Sequence, residues 1–414
     1  MKRISFVILH LFFYYSAFAG KYDGDSTTLN SISISSEYFF GSNSLTDDLV
    51  STYFKRGFIS NAMKDVVSKN LSNSNRFGVG FNYALSFRHK TDSLFGLRHS
   101  FYQIGFRDVY HIDSKFSKDM FELYFRGNKN YAGKTASLND FEFNQIFYQQ
   151  LSFMFGHTFK NGLNKYEFTT GISFNKGYEL LLIQAPTAGI FTQESGEYLD
   201  LNANLSIQKN DSAKDGKLAF NGFGGSIDFS FKWTDRKKRD LEFSMTNLGF
   251  IGWNKKTTSI EADTSFRFEG VDITQLFDFT DSVSSTINFD STLVEPYLTS
   301  RSKKAHSTSL PALVKLTYTI PIDKYHIRME TGIGNLFFTK SLPIIWQNYQ
   351  YKLNQSHSFG LKLSYGGYSG FNIGLNYELK LSGWKFLLLS DQVNGLLLKN
   401  GTAQGAFVSL AKYF

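Results

Sequence analysis

The sequence predicts an all-β fold: a closed antiparallel transmembrane β-barrel of about fourteen strands, with a short helical plug or lining segment near the amino terminus. Three observations predict it. Segments of about ten residues alternate between apolar and polar side chains, the period of a strand with one greasy and one wet face. Aromatic residues make up 17% of the 414-residue chain, with 44 Phe and 23 Tyr, yet mean hydropathy is only −0.24. Many rings without a greasy average is what alternation toward lipid and lumen produces. Finally, the last ten residues, Gly405–Phe414, end on an aromatic, with Val408 and Leu410 on the face of Phe414. Such a strand pairs with the first and leaves no backbone edge in lipid. The match is incomplete, because Lys412 occupies the often aromatic position two before the end and Tyr413 carries the ring instead.

Met1–Gly20 reads as a secretory signal peptide: Lys2 and Arg3, an apolar core over Ile4–Tyr15, then Ala17-Phe-Ala19 before a cut. Residues 21–414 then form one outer-membrane barrel domain. No later run approaches the ~20 apolar residues of a spanning helix. The chain has no cysteine, which excludes disulfides, iron–sulfur clusters and cysteine-ligated zinc. Net charge is +8, or +6 once Lys2 and Arg3 leave with the leader. The charges are spread along strands and turns, so nucleic acid is not an expected partner. The one run, Arg236-Lys-Lys-Arg239, reads as a solvated hairpin tip or a contact to anionic head groups.

Taken in order, Ile32, Ile34, Tyr38 and Phe40 mark a first strand. Leu45–Leu71 changes period: Leu49, Tyr53, Phe54, Phe58, Ala62, Met63, Val66 and Val67 recur every three or four residues, behind Thr46-Asp-Asp48 as a helix start. This segment plugs or lines the lumen, with Tyr53, Lys55 and Arg56 as candidates, or it is a helix in a loop. Odd positions from Phe77 to Phe87 are apolar, and Tyr102, Ile104 and Phe106 continue the pattern. Phe121, Leu123 and Phe125 opposite Glu122, Tyr124 and Arg126 read as a further strand. Strands follow at Phe141–Phe155, with an irregular centre, and at Tyr166–Phe174, Leu199–Ile207, Ile227–Trp233, Leu241–Met245, Val314–Ile320, Ile327–Ile333, Phe359–Tyr365 and Phe371–Leu381. Weaker segments lie near Leu180, Ile260 and Tyr349. Long connections are expected at Asn128–Asn139, Lys176–Tyr198 and Gly252–Ser309, the last with a short helix at Val271–Phe279 and facing outward from the cell. A soluble β-sandwich would also alternate, but its strands average only ~5–6 residues.

No residues signal catalysis, a cofactor or a metal. The 8 histidines are scattered without a His-Glu-x-x-His pair. No Gly-x-Ser-x-Gly elbow appears. Ala132-Gly-Lys-Thr135 lacks the earlier glycine of a phosphate loop, because residue 128 is Asn. The candidate site is instead the polar strand face. If apolar rows face lipid, then Arg88, Arg107, Glu122, Arg126, Lys232, Glu242, Lys315, Arg328, Glu330, Lys362, Glu378 and Lys380 face the lumen. Inward placement is forced, since a basic residue toward lipid at the midplane costs ~2–4 kcal/mol. These charges either pair with one another and fill the barrel, or line a pore or cavity.

Several phrases carry a family resemblance: Tyr53-Phe-Lys-Arg-Gly57, Asn75-Arg-Phe-Gly78, Phe95-Gly-Leu-Arg98, Gly127-Asn-Lys129, Gly196-Glu-Tyr198, Asn221-Gly-Phe-Gly224, Asn247-Leu-Gly-Phe-Ile-Gly-Trp-Asn254 and Phe266-Arg-Phe-Glu-Gly-Val-Asp272. Together they resemble an outer-membrane barrel family of unknown function from gliding and protein-secreting Gram-negative bacteria. Such barrels look distantly like long-chain fatty-acid transporters and the shuttle barrel of type IX secretion. The resemblance implies an outer-membrane barrel and transfers no ligand site. The expected function is a channel or carrier for a small hydrophobic or anionic solute, the alternative a structural barrel serving secretion or the cell surface. Its expected partners are outer-membrane lipid, the barrel-assembly machinery and secretion or surface proteins.

Overall fold

A computed structural model describes residues 30–210, 216–269, 300–398 and 400–414. The signal peptide and the Val271–Phe279 helix lie outside them. In chain order the strands are β1 (Ser31–Ser42), β2 (Asn75–Leu94), β3 (Leu97–Phe116), β4 (Lys134–Ser137), β5 (Phe141–Asn161), β6 (Asn164–Thr192), β7 (Tyr198–Asn210), β8 (Gly222–Thr234), β9 (Asp240–Trp253) and β10 (Thr258–Glu269). There follow β11 (Ser300–Lys303), β12 (His306–Ser309), β13 (Ala312–Ile322), β14 (Ile327–Phe337), β15 (Leu342–Lys352), β16 (His357–Gly367), β17 (Gly370–Leu381), β18 (Trp384–Ser390) and β19 (Ala403–Tyr413). Four α-helices accompany them among the described residues: α1 (Asp47–Phe54), α2 (Asn61–Asn70), α3 (Lys118–Arg126) and α4 (Asn394–Leu397).

Fourteen strands form the ring, each antiparallel to the next: β1, β2, β3, β5, β6, β8, β9 and β13 through β19. The ring closes where Ser31 pairs with Tyr413 and the register runs on to Gly41 opposite Ala403. Asn30 and Phe414 exchange two backbone hydrogen bonds of 3.0 Å at the foot of that seam. The terminal strand thus does what its sequence predicts. One end of the ring is made of short turns, at 95–96, 162–163, 235–239, 323–326, 353–356 and 382–383, and also holds the chain end. The other end carries the helices and most of the long connections. The basic run sits in the short turn after β8, where Asp235 accepts hydrogen bonds from the Lys237 and Arg239 amides and pairs with the Arg239 guanidinium at 2.5 Å. That partner holds the Asp235 carboxyl below its ordinary range.

The expected connection over 176–198 is mostly strand. β6 runs for 29 residues. Its first half pairs with β8, and Leu180–Thr192 pairs with β7. Pro186 falls at the register shift between Gln184 and Thr187. A proline at such an irregularity owes the ladder no donor. β7 then pairs with β10, β10 with β11, and β4 with β6, so a flap of sheet continues the wall past the rim. Much of the expected 252–309 loop is therefore paired: β12 lies along β9, and β10 matches β7 from Thr258 to Glu269.

The expected strand at Phe121–Arg126 is the helix α3. Its alternation lasts only five residues, and Phe121 and Phe125 are equally an i,i+4 helical pair. The Ser117 hydroxyl caps the first turn by accepting from the Met120 amide, and Gly127 leaves the helix at φ 79°. The segment Leu45–Leu71 is two short helices, not one. Thr46 caps α1 and Ser60 caps α2.

Alternation sorts the two faces of the wall. Leu85, Ile104, Phe106, Leu151, Ile172, Ile227, Phe243, Leu316, Ile333, Leu361 and Leu375 are exposed on the outside. Their neighbours in sequence face the enclosed side, where Val109, Ile146, Tyr148, Leu180, Ile251, Trp253 and Leu310 form an apolar cluster beneath the rim.

Candidate functional site in the barrel lumen

Ten of the twelve expected lumen charges stand on ring strands at the inward parity. Arg88 is buried with its guanidinium 3.5 Å from the Phe101 ring. With Glu167, Lys232 and Glu242 it lines a niche in the wall toward the short-turn end. Lys232 is in register with both Glu167 and Glu242, and lies 3.4 Å from Asp240. Arg328 meets the same Asp240 at 2.7 Å. Glu330 accepts from the Trp346 indole at 3.1 Å. Lys362 pairs with Asp391 at 2.6 Å. Glu378 holds Lys380 at 3.1 Å and Lys385 at 2.7 Å. Lys315 is in register with Ser244 and Gly334, and Arg107 with Ala84 and Gln150. The ion pairs of the inner wall join residues of one strand, of neighbouring strands or of strands one apart, and opposite charges at these distances stabilise each other.

The other two charges are not in the lumen. Glu122 and Arg126 pair with each other at 2.9 Å on α3, and Arg126 also reaches Asp65 of α2 at 2.7 Å. Helix geometry brings residues four apart to one face, so the pair that reads as lumen-facing is an ordinary helical ion pair. The plug candidates also rest elsewhere. The Tyr53 hydroxyl bonds that of Tyr124 at 2.8 Å, while Lys55 and Arg56 are exposed. The apolar stripes of α1, α2 and α3 meet in one cluster of Leu49, Val67, Phe116 and Phe121, with Phe77 and Phe141 packed against it. Phe77, Phe116 and Phe141 have the outward parity of their strands, so the three helices form a collar on the outer flank of the rim.

Closure of the lumen comes from residues the sequence did not single out. Asp113, fully buried on the inner face of β3, accepts from the Lys340 amide at 2.8 Å, the Tyr368 hydroxyl at 3.1 Å and the Asn144 amide at 2.8 Å, beside His111 at 3.3 Å. Lys340 lies in the turn after β14 and Tyr368 in the turn after β16, on the opposite side of the ring. Both turns bend inward across the mouth. The Lys340 ammonium also pairs with Glu142 of β5, and the Arg76 guanidinium reaches the Gly367 carbonyl at 3.4 Å. Tyr368 stacks on Phe39 with ring centroids 6.2 Å apart. Gly78 and Gly80 make room for these rings: a Cβ at either position would fall inside the facing ring. Lower down, Asn247, held at φ 61°, donates to the Tyr148 hydroxyl at 2.9 Å and the Pro311 carbonyl at 2.8 Å, and accepts from Gln150 at 2.9 Å.

The loop bearing α4, which hydrogen-bonds along the edge of β17 beyond the end of β18, docks on the start of α1. The Asp47 amide donates to the Gly401 carbonyl at 2.8 Å, and its carboxylate packs against Gly395. Burial pushes that carboxyl up to about 7.

A closed antiparallel barrel of fourteen strands with an apolar exterior, a charged interior and turns bent across its mouth defines the class of fold. Within it, residues 24–391 match the model of the family of unknown function DUF5723, and the chain belongs to that family. No curated protein matches it. Among solved structures it is similar to the toluene transporter TodX of Pseudomonas putida, at 9% identity over 97% of this chain and 95% of that one, with a TM-score of 0.37. It is also similar to the toluene transporter TbuX of Ralstonia pickettii, at 8% identity over 93% and 90%, TM-score 0.40. A FadL homologue of Pseudomonas aeruginosa aligns at 7% identity over 94% and 90%, TM-score 0.41.

Proposed function

We propose that this chain is an outer-membrane passage barrel whose mouth is shut by a separable polar latch. The outward rows of Leu, Ile and Phe suit hydrocarbon, and the absence of an open sheet edge at the β1–β19 seam is what lipid demands. Short turns then face the periplasm and the collar faces the exterior. The carrying observation is Asp113. It gathers the inward-bent turns by hydrogen bonds that need no covalent change to release, over an interior already lined with charge. A barrel filled only for stability could be packed from its own wall strands, whereas here two turns from the far side of the ring reach Asp113 across the mouth. The solute is small and hydrophobic or anionic; any polar part of it would meet inner-wall charges of both signs, Arg88, Arg107, Lys232, Lys315 and Lys362 beside Glu242, Glu330 and Glu378.

The test is solute flux into vesicles carrying the purified barrel. Wild type is expected to admit small anions slowly, and Asp113→Ala to admit them faster. Equal flux in both, or none in either, would count against the reading. A second reading, protein docking at the exterior, is favoured by the sheet flap of β4, β6, β7 and β10; a partner recovered by cross-linking and lost when the β6–β7 tip is trimmed would support it.

A further inference from the structure

The outer wall carries one feature that neither the latch nor the inner-wall ion pairs explain. Asp108 has the outward parity of β3, in the column of Ile104 and Phe106, yet it is only 1% exposed. A carboxylate on that face would meet hydrocarbon. Instead the connection between β7 and β8 folds back onto the wall at 216–221 and covers it. The Lys217 ammonium lies 2.8 Å from Asp108, and the hydroxyls of Tyr83 and Tyr178 donate to the same carboxylate at 2.5 and 3.1 Å. Asn221 ties the strap to β6 through its side-chain amide and the Tyr178 carbonyl at 2.8 Å, and Ala219 is buried against Phe147 and Tyr178.

The strap's other face is apolar and bare. Leu218 is 85% exposed and Phe220 62% exposed. They do not stand alone. Phe220 stacks on Phe223 at 6.3 Å, Phe223 on Phe174 at 6.4 Å, and Phe174 meets Phe153 edge-on at 6.3 Å. Phe153, Phe174 and Phe223 are themselves exposed members of the outward rows. A single ridge of rings therefore climbs from the belt of the barrel onto the strap.

We propose that this strap is a lipid clasp: Leu218 and Phe220 insert among acyl chains at the upper margin of the belt, while Lys217 neutralises Asp108 beneath them. The inference rests on the membrane reading above, and the occupant is argued from the unbroken ridge. Apolar side chains continuous with a lipid-facing surface gain by entering the same medium; the Asp108 carboxylate is already buried and the Lys217 side chain half exposed, so lipid closing over the strap would remove the remaining water and tighten the pair.

The absence of native cysteine makes the test clean. A nitroxide label is placed at Leu218→Cys, at Phe220→Cys, at Leu151→Cys on the outward row of β5, and at Ser195→Cys in the exposed β6–β7 tip, each in phospholipid vesicles. Collision with oxygen, which concentrates in lipid, is compared with collision with a water-soluble nickel chelate. Residues 218 and 220 are expected to resemble 151 and to differ from 195. Water-like behaviour at 218 and 220 with lipid-like behaviour at 151 would overturn the clasp alone; water-like behaviour at 151 would overturn the membrane reading itself. Shielding of 218 and 220 from both reagents would point to a protein partner and also overturn the clasp. Lys217→Met is expected to raise nickel access at 220 as the strap lifts, and Lys217→Met with Asp108→Asn to restore it. No change in Lys217→Met would contradict the role given to the pair.

Discussion

At the long-loop rim, connections that bend inward and connections that lean outward are held by different chemistry. The turns after β14 and β16 cross the mouth and settle on a buried carboxylate, a glutamate and an arginine. Helices α1 to α3 lean outward and settle on Phe77, Phe116 and Phe141. The cause is the wall beneath them. Period two gives each strand one polar and one apolar side, so a segment folding over the rim meets hydrogen-bond partners within and hydrophobic partners without. The inner contacts are directional and individually weak, and can be exchanged for water. The outer ones come apart only by exposing area. The same end of the barrel is thus built to stay put on one side and to release on the other.

The sharpest way to break that contrast is to weaken the collar. Leu49, at 2% exposure, is central to it. Leu49→Ala is expected to cost about 2–5 kcal/mol, read as a lowered unfolding midpoint in detergent, with solute flux unchanged. Increased flux would mean the collar, not the latch, holds the mouth. Asp113→Ala is expected to cost less, about 1–3 kcal/mol for the donors left without an acceptor, and to raise flux. Smaller still, Ser117→Ala removes the cap of α3 and should cost about 1 kcal/mol, measured by the same unfolding curves, again without opening the mouth.

The mildest effect concerns pH. The Asp47 carboxyl is raised to about 7 by burial, so its neutral form is the one the fold favours. The docking of the α4 loop on α1 is therefore fully present at acid pH, below the ordinary carboxylate range, and weakens as pH climbs through about 7. Amide exchange at Asp47, corrected for its intrinsic pH dependence, should show more opening at pH 8.5 than at pH 5.5, and Asp47→Asn should remove the difference. Persistent difference in the variant would assign it to another group.

How much of this was legible beforehand follows the same physics. The ring was, because its code is local: apolar rows such as Phe77 to Phe87 repeat every second residue regardless of partner. Helix α3 was not, because Phe121, Leu123 and Phe125 satisfy both periods over so short a stretch. Its decisive signals were Ser117 and Gly127 at the ends. The continuation of β6 was not legible, because the strand changes partner from β8 to β7 near Leu180 and its register shifts between Gln184 and Thr187. The lumen charges were legible by type and not by pairing. Asp113 was not legible at all. It is one polar residue among many on an alternating strand, and Lys340 and Tyr368 stand 227 and 255 residues further on. Closure depends on which turns bend inward, and no local pattern records that.

The most direct measurement is single-channel current in planar bilayers for the wild type and for Asp113→Ala combined with Tyr368→Ala. Closure by the latch requires a wild type that is mostly silent and a variant that conducts for most of the record. Equal currents, whether both open or both silent, would contradict it.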